Sequence, residues 1–323
     1  MGKIIAFGWY GGKFNHLNWL LPLLPEATHY CEPFAGSAAV LLNRKPSPVE
    51  TYNDIDGEVV NFFRVLRDSQ EELIKAIGLT PFSREELRLA VEESVSNLSE
   101  LERARRFFVR ARQVRTGLAQ TASVGRWAHC KLTSRAGMAG AVSRWLGSVE
   151  GLSEIVQRLL RVQIENSPAI EVIRRYDHEE TLFYCDPPYP HISRGDANAY
   201  KYEMTDDEHR RLAEVLKNTK GKVALSGYHC DLLDTLYGDW YCIEAPSKQC
   251  LSVKQLRTEV VWMNYAPPKD IADSTEWLNQ EKSSLPLFDA LPVGIHLRRD
   301  SGALCAPLSR EFCPALSGNP DSH

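Results

Sequence analysis

The chain has no hydrophobic run long enough to cross a bilayer; its apolar stretches are short and broken by proline or charge. Residues Met1 to Gly8 lack the apolar core and cleavage pattern of a secretory signal. Ala6 stands where a myristoylation motif needs Ser or Thr. None of the eight cysteines forms a Cys-x-x-Cys pair, and no Cys/His group has zinc spacing. Several thiols (Cys31, Cys185, Cys242) fall in strand-like runs. These absences read as a reduced, cytoplasmic protein with no membrane contact and no metal centre. A Gly-x-Gly-x-x-Gly fingerprint is missing as well, so there is no pyrophosphate cradle for a dinucleotide. One sign of charge is missing locally. Between Arg103 and Val149 there is no Asp or Glu, yet the block holds nine arginines and a lysine in a chain of net charge −4. Solvated faces normally mix both signs, so the block reads as a polyanion-binding surface, and nucleic acid is the expected polyanion.

What is present is ordinary for a globular protein: 323 residues, 43% hydrophobic and 25% charged, with room for about two domains. Strand-like runs recur at Thr28 to Cys31, Glu50 to Asn53, Val162 to Glu165, Thr181 to Cys185, Lys222 to Ser226, Trp240 to Glu244 and Glu259 to Tyr265. Helical patterns lie between several of them. Thr205 with Glu208 forms a capping-box signature, followed by Leu212, Val215 and Leu216 on one face. Ser153 to Leu160 and Ala169 to Tyr176 read as two more helices. Alternating strands and helices predict an α/β fold with a Rossmann-like sheet of about seven strands. Residues 1–65 and 156–268 form the expected catalytic domain. Residues 66–155 read as a helical and loop insertion, with one basic helix from Leu87 through Arg115 and a loop from Gly117 to Gly140. Residues 269–323, with five prolines and little periodicity, read as a linker and poorly ordered tail.

Two motifs carry chemistry. Asp186-Pro187-Pro188-Tyr189 follows the apolar run ending at Cys185, so it sits past a strand's carboxyl end, where open α/β sheets bind ligands. The prolines stiffen a corner that offers a carboxylate, a free carbonyl and an aromatic face, a set suited to a planar ring bearing an amine. The plain alternative is a Pro-Pro turn. Glu32-Pro33-Phe34-Ala35-Gly36 follows the first strand, and its small residues allow a ligand close to a helix N-terminus. Asp54 lies eighteen residues past Gly36, at the end of the second strand, where an acid commonly binds ribose hydroxyls. A nucleoside cofactor without phosphates fits, and S-adenosylmethionine is the obvious one.

Taken in order, Trp9-Tyr10-Gly11-Gly12-Lys13, Glu32-Pro33-Phe34-Ala35-Gly36, Asn53-Asp54 and Asp186-Pro187-Pro188-Tyr189 resemble the Dam-type DNA adenine methyltransferases. Ser226-Gly227-Tyr228 and Arg257-Thr258-Glu259 extend the resemblance over about residues 5–265. It implies site-specific transfer of a methyl group from S-adenosyl-L-methionine to N6 of a flipped-out adenine in double-stranded DNA. Asp186, Pro187 and Tyr189 are the implied catalytic set, and Trp9, Lys13, Phe34, Gly36, Asp54 and Asp186 the implied cofactor contacts. The basic insertion becomes the DNA-recognition element, with Arg106, Arg110, Arg112, Arg115, Arg126, Lys131 and Arg135 as its contacts, and Arg194 is a candidate for steadying the flipped strand. The chain departs from the family at two points: Ala38 replaces a second glycine of the cofactor loop, and Pro168 replaces an Asp that touches the cofactor adenine. A cytosine N4 methyltransferase and an inactive DNA-binding module are the rival readings. The recognition sequence, the oligomeric state and the presence of a cognate restriction endonuclease are not legible in these residues.

Overall fold

A computed structural model describes residues 2–92, 97–193, 201–246 and 258–268. The chain divides into residues 1–275, which hold every described element, and 276–323. The expected linker and tail, Arg194 and Arg257 lie outside the described residues.

In chain order the elements are α1 (Leu17–Leu20), β1 (His29–Glu32), α2 (Ala39–Asn43), β2 (Val49–Asn53), α3 (Gly57–Asp68), α4 (Gln70–Gly78), α5 (Arg84–Glu92) and α6 (Glu100–Arg112). Then come β3 (Ser134–Arg135), β4 (Met138–Ala139), α7 (Gly140–Glu150), α8 (Leu152–Leu159), β5 (Val162–Glu165), α9 (Ala169–Tyr176) and β6 (Thr181–Cys185). The last are α10 (Asp206–Lys217), β7 (Lys222–Tyr228), α11 (Asp231–Leu236), β8 (Tyr241–Glu244) and β9 (Glu259–Met263). All seven strands read from the sequence are present and join one sheet of order β5-β2-β1-β6-β7-β9-β8. β5, β2, β1, β6 and β7 pair in parallel, while β9 runs antiparallel to both β7 and β8. From β1 the chain winds outward to β2 and β5; β6 then starts the other half on the opposite side. The strand order therefore reverses between β1 and β6, and the crevice at their carboxyl ends is the natural ligand site.

The alternation of β6 explains why the sheet has two covered faces. All five of its residues are buried: Leu182 and Tyr184 enter one core, Phe183 and Cys185 the other. α9, α10 and α11 supply Val172, Ile173, Leu212, Leu216 and Leu233 to the second core. The capping box forms as read: the Thr205 hydroxyl accepts from Glu208 N–H, and the Glu208 carboxylate accepts from Thr205 N–H at 2.7 Å.

The first core reaches into the segment read as an insertion. Phe62 of α3 stacks on Phe108 of α6 with centroids 5.6 Å apart, and Phe7 meets Phe62 and Phe107 edge-on. Each such buried ring is worth about 2–3 kcal/mol of removed apolar surface. The single helix expected from Leu87 through Arg115 is two helices. α6 starts afresh because the Ser99 hydroxyl accepts from Glu102 N–H and caps it. Beyond α6 the chain runs as a loop to a two-residue hairpin, β3–β4, whose turn residues Ala136 and Gly137 both have positive φ (51° and 74°), as a primed turn requires. Every residue from Lys131 to Ala139 is exposed.

Candidate active site

Three loops meet at the switch point: Pro33 to Ala38 after β1, Asp54 to Asp56 after β2, and Asp186 to Tyr189 after β6. The second is organised by Asp54, whose two carboxylate oxygens accept from Gly36 N–H and Asp56 N–H, each at 2.8 Å. Tyr52 hydroxyl donates to the Gly36 carbonyl at 2.9 Å. Burial raises the Asp54 pKa to about 6, against the pull of those backbone N–H groups. Gly36 cannot be replaced by a larger residue for two reasons. Its φ is +51°, and a Cβ would lie 2.4 Å from the Trp9 indole nitrogen. Ala38 also has a left-handed backbone, φ 56°. Ala38 holds that backbone at a strain of about 1–2 kcal/mol, which a glycine would avoid.

The amino-terminal segment folds over this edge. Gly12 N–H donates to the Trp9 carbonyl, closing a turn in which Gly11 has φ 70°. The turn sends Lys13 inward, where its side chain is 3% exposed. Its ammonium donates to both Asp186 oxygens, at 2.7 and 2.8 Å, and to the Gly11 carbonyl at 2.7 Å. Glu259 Oε1 lies 3.3 Å from the same nitrogen. Burial works against the Lys13 charge, but Asp186 and Glu259 more than offset it, so its pKa is raised. The Asp186 pKa is raised too: burial contributes most, the Lys13 charge opposes it, and Glu259 adds to it. Tyr189 is buried, and its hydroxyl has two acceptors, Glu259 Oε1 and, at 3.2 Å, Asp186 Oδ1. The Tyr228 ring abuts Tyr189 edge-on at 4.9 Å.

A cavity of about 370 Å³ opens between these loops, lined by Trp9, Phe34, Asp54, Pro168, Ile170 and Asp186 among others. A small pocket beside it is walled by Trp9, Gly12, Lys13, Glu32, Ser37 and Asp186. The structure thus brings Trp9, Lys13, Phe34, Gly36, Asp54, Asp186 and Tyr189 into one place. Pro168 belongs to the wall at the N-terminus of α9, beside Ala169 and Ile170. Sequence reasoning gave no role to Glu32, Glu259 and Gln120, which also belong here. Glu32 accepts from Tyr30 hydroxyl at 2.6 Å, and burial pushes its pKa to about 8. Gln120, from the loop after α6, reaches the cavity wall with its carbonyl oxygen buried and unpaired among the described residues.

The basic block divides in two. Arg106 is buried, donating to Glu102 at 2.7 Å and to the Leu89 carbonyl at 3.0 Å. Arg110 donates to the Ala90 carbonyl at 2.9 Å and faces Glu58. Arg112 donates to the Ala6 and Ile5 carbonyls at 2.7 and 3.1 Å, and burial lowers its pKa to about 10. The expected DNA contacts at Arg106, Arg110 and Arg112 are therefore corrected: their guanidinium groups are spent inside the fold. Arg115, Arg126, Lys131 and Arg135 are exposed, and so is Arg144.

Glu32 makes stability depend on pH. Its folded pKa lies above the ordinary 4.5, so the folded state holds the proton more tightly, and stability falls as pH rises from about 4.5 through about 8. Ionising this carboxyl in the fold costs on the order of 3–5 kcal/mol more than in the unfolded chain. Thermal midpoints of the wild type should drop by several degrees between pH 5 and pH 8.5. Glu32→Gln should flatten that drop; parallel curves would show that another group controls it.

The reversed β9 beside five parallel strands, with an acid closing β2 and a Pro-braced acid closing β6, places the protein among the α/β methyltransferases with a Rossmann-like sheet. Residues 9–258 match the family described as D12 class N6 adenine-specific DNA methyltransferase, and the chain belongs to it. It is 25% identical over 282 residues to the type II methyltransferase M1.LlaDCHI of Lactococcus lactis subsp. cremoris, covering 80% of this chain and 94% of that one. A DNA adenine methylase of Vibrio cholerae is 24% identical over 230 residues, with 68% and 77% covered. The type II methyltransferase M.MjaIII of Methanocaldococcus jannaschii is 23% identical over 296 residues, with 80% and 97% covered. The protein is an adenine-specific DNA methyltransferase. Among the described residues no helix is long and apolar enough to cross a membrane.

Proposed function

We propose that the switch-point cavity binds S-adenosyl-L-methionine and that Asp186, Pro187 and Tyr189 receive an adenine flipped out of duplex DNA. The carrying observation is the Asp186 carboxylate. It is half-buried beside the buried Lys13 and lines both the large cavity and the small pocket. The residues fit the cofactor. Asp54 has lone pairs left for ribose hydroxyls after accepting from Gly36 and Asp56, and Phe34, Ile55, Pro168 and Ile170 supply an apolar slot for a purine. The small pocket beside it, walled by polar Lys13, Glu32, Ser37 and Asp186, would receive the amino-acid end. When bound, the cofactor supplies a methyl group on a positively charged sulfur.

The chain's own residues then have to make a poor nucleophile effective. The amine lone pair of adenine is conjugated with the ring. Asp186 and the Pro187 carbonyl each accept one amine hydrogen, which favours a pyramidal nitrogen with its lone pair aimed at the donor. Tyr189 and the prolines keep that corner rigid, so little ordering is left for the reaction itself. Asp186 stabilises the positive charge that develops on nitrogen from a fixed position beside it. Extruding the base costs a few kcal/mol, offset by stacking and these hydrogen bonds. The exposed half of the basic block contacts DNA phosphates, and the β3–β4 hairpin carrying Arg135 is a two-stranded ribbon of the kind a major groove admits. Residues 66–155 on this reading contain the DNA-recognition insertion.

Unmethylated duplex incubated with methyl-labelled S-adenosylmethionine should yield N6-methyladenine on nucleoside mass spectrometry. Appearance of N4-methylcytosine instead would overturn the base assignment. Asp54→Ala should weaken cofactor binding by about 10- to 100-fold, the worth of hydrogen bonds to a charged acceptor. Calorimetric affinity within twofold of wild type would remove Asp54 from the cofactor site.

A further inference from the structure

We propose that Glu259 is a positioning residue for methyl transfer, holding the Tyr189 hydroxyl proton and the Lys13 ammonium so that Asp186 stays open to the target amine. The inference rests on the proposed reading of Asp186 as the amine acceptor. An ionised carboxylate has about four lone-pair sites. Lys13 takes one on each Asp186 oxygen, at 2.7 and 2.8 Å. The Tyr189 hydroxyl stands 3.2 Å from Oδ1 and could take a third. A phenol has a single proton, and Glu259 offers it a second acceptor. Glu259 thus competes with Asp186 for the one phenol proton, and whatever share it takes leaves acceptor capacity on Asp186, which lines both the large cavity and the small pocket.

Glu259 is built for this place. It opens β9, is 5% exposed, and pairs in register with Tyr228 at the end of β7. The Tyr228 ring packs edge-on against Tyr189, so the same strand pair that presents the carboxylate also fixes the phenol it binds. Gly227 lets the strands close: a Cβ there would lie 2.8 Å from the Trp262 ring. Glu259 also sits 3.3 Å from Lys13, so the ammonium is shared between two carboxylates and pulls less exclusively on Asp186. Without Glu259, the Tyr189 proton would fall to Asp186, and Lys13 would pair with Asp186 alone. Both changes weaken the acceptor that the amine needs.

The test uses the full chain with duplex DNA, comparing Glu259→Leu, Glu259→Gln and the double variant Glu259→Leu with Tyr189→Phe. Glu259→Leu should lower kcat about 100-fold while KM for DNA and the dissociation constant for S-adenosylmethionine stay within threefold. Glu259→Gln keeps an acceptor for the phenol, so its kcat should fall less, within about tenfold. The double variant has no phenol proton to donate to Asp186 and should regain at least tenfold over Glu259→Leu alone. A kcat within threefold of wild type in Glu259→Leu, or no recovery in the double variant, would overturn the proposal. Asp186→Ala, run in parallel, separates the two readings. If it is inactive while Glu259→Leu is fully active, only the role of Glu259 fails; if Asp186→Ala is itself active, the amine-acceptor reading fails first.

Discussion

Replacing Asp186 by Ala should lower the rate of methyl transfer by about a thousandfold or more while cofactor and DNA still bind. The size follows from what the carboxylate does. It accepts an amine hydrogen in the ground state and faces a full positive charge on nitrogen as the bond forms, so its interaction strengthens along the reaction, which is the condition for an effect on kcat. Losing one prearranged electrostatic partner costs about 10²–10³ in rate, and here the positional constraint on the amine is lost as well. The fold should survive. Lys13 keeps Glu259 at 3.3 Å and the Gly11 carbonyl at 2.7 Å, and the like-charge pressure between Asp186 and Glu259 is relieved. Asp186→Asn should also be severely impaired, because one carbonyl oxygen must serve both Lys13 and the amine. Single-turnover methyl incorporation measures the chemistry, and fluorescence anisotropy with labelled duplex measures binding. Rates within tenfold of wild type in Asp186→Ala would refute the assignment.

The parts of this site that were legible in the sequence are contiguous. Asp-Pro-Pro-Tyr follows a five-residue apolar run, and the buried alternation of β6 confirms what that run means. Asp54 was legible because strand, turn and spacing place an acid at a known sheet edge. The capping box of α10 needs only four consecutive residues. What escaped are interactions across the chain. Lys13 and Asp186 are 173 residues apart, and Tyr189 and Glu259 are 70 apart. No local pattern predicts that the amino-terminal loop folds back onto β6. Glu259 did leave a signal, a lone acid at the head of the apolar strand Glu-Val-Val-Trp-Met, but nothing nearby in sequence names its partner. The arginines misled for a related reason. The acid-free window counts charges along the chain, whereas the partners of its first half lie outside the window. Glu58 pairs with Arg103 and faces Arg110, Glu86 pairs with Arg105, and Glu102 pairs with Arg105 and Arg106.

Neutralising Arg115, Arg126, Lys131 and Arg135 together should therefore weaken duplex binding by roughly 100-fold, taking about 0.7 kcal/mol for each exposed charge. The dependence of log affinity on log salt should flatten by about 3 to 4, since each phosphate contact contributes about 0.9 to the slope. Thermal stability should barely change, because all four side chains are exposed. Arg112→Met should do the opposite. It orphans the Ala6 and Ile5 carbonyls and frees the segment that carries Trp9 over Gly36. Leaving buried acceptors unpaired costs about 1–3 kcal/mol, so the thermal midpoint should fall by several degrees and cofactor affinity with it, while the salt slope stays as in the wild type. Arg106→Met should likewise destabilise without touching the slope, because its partners Glu102 and the Leu89 carbonyl are internal. Titrations of labelled duplex from about 50 to 300 mM salt, paired with melting curves, separate the two halves of the block. An unchanged slope in the fourfold variant, or a flattened slope with an unchanged midpoint in Arg112→Met, would reverse the division. Ten like charges in one stretch would then act as a single surface after all.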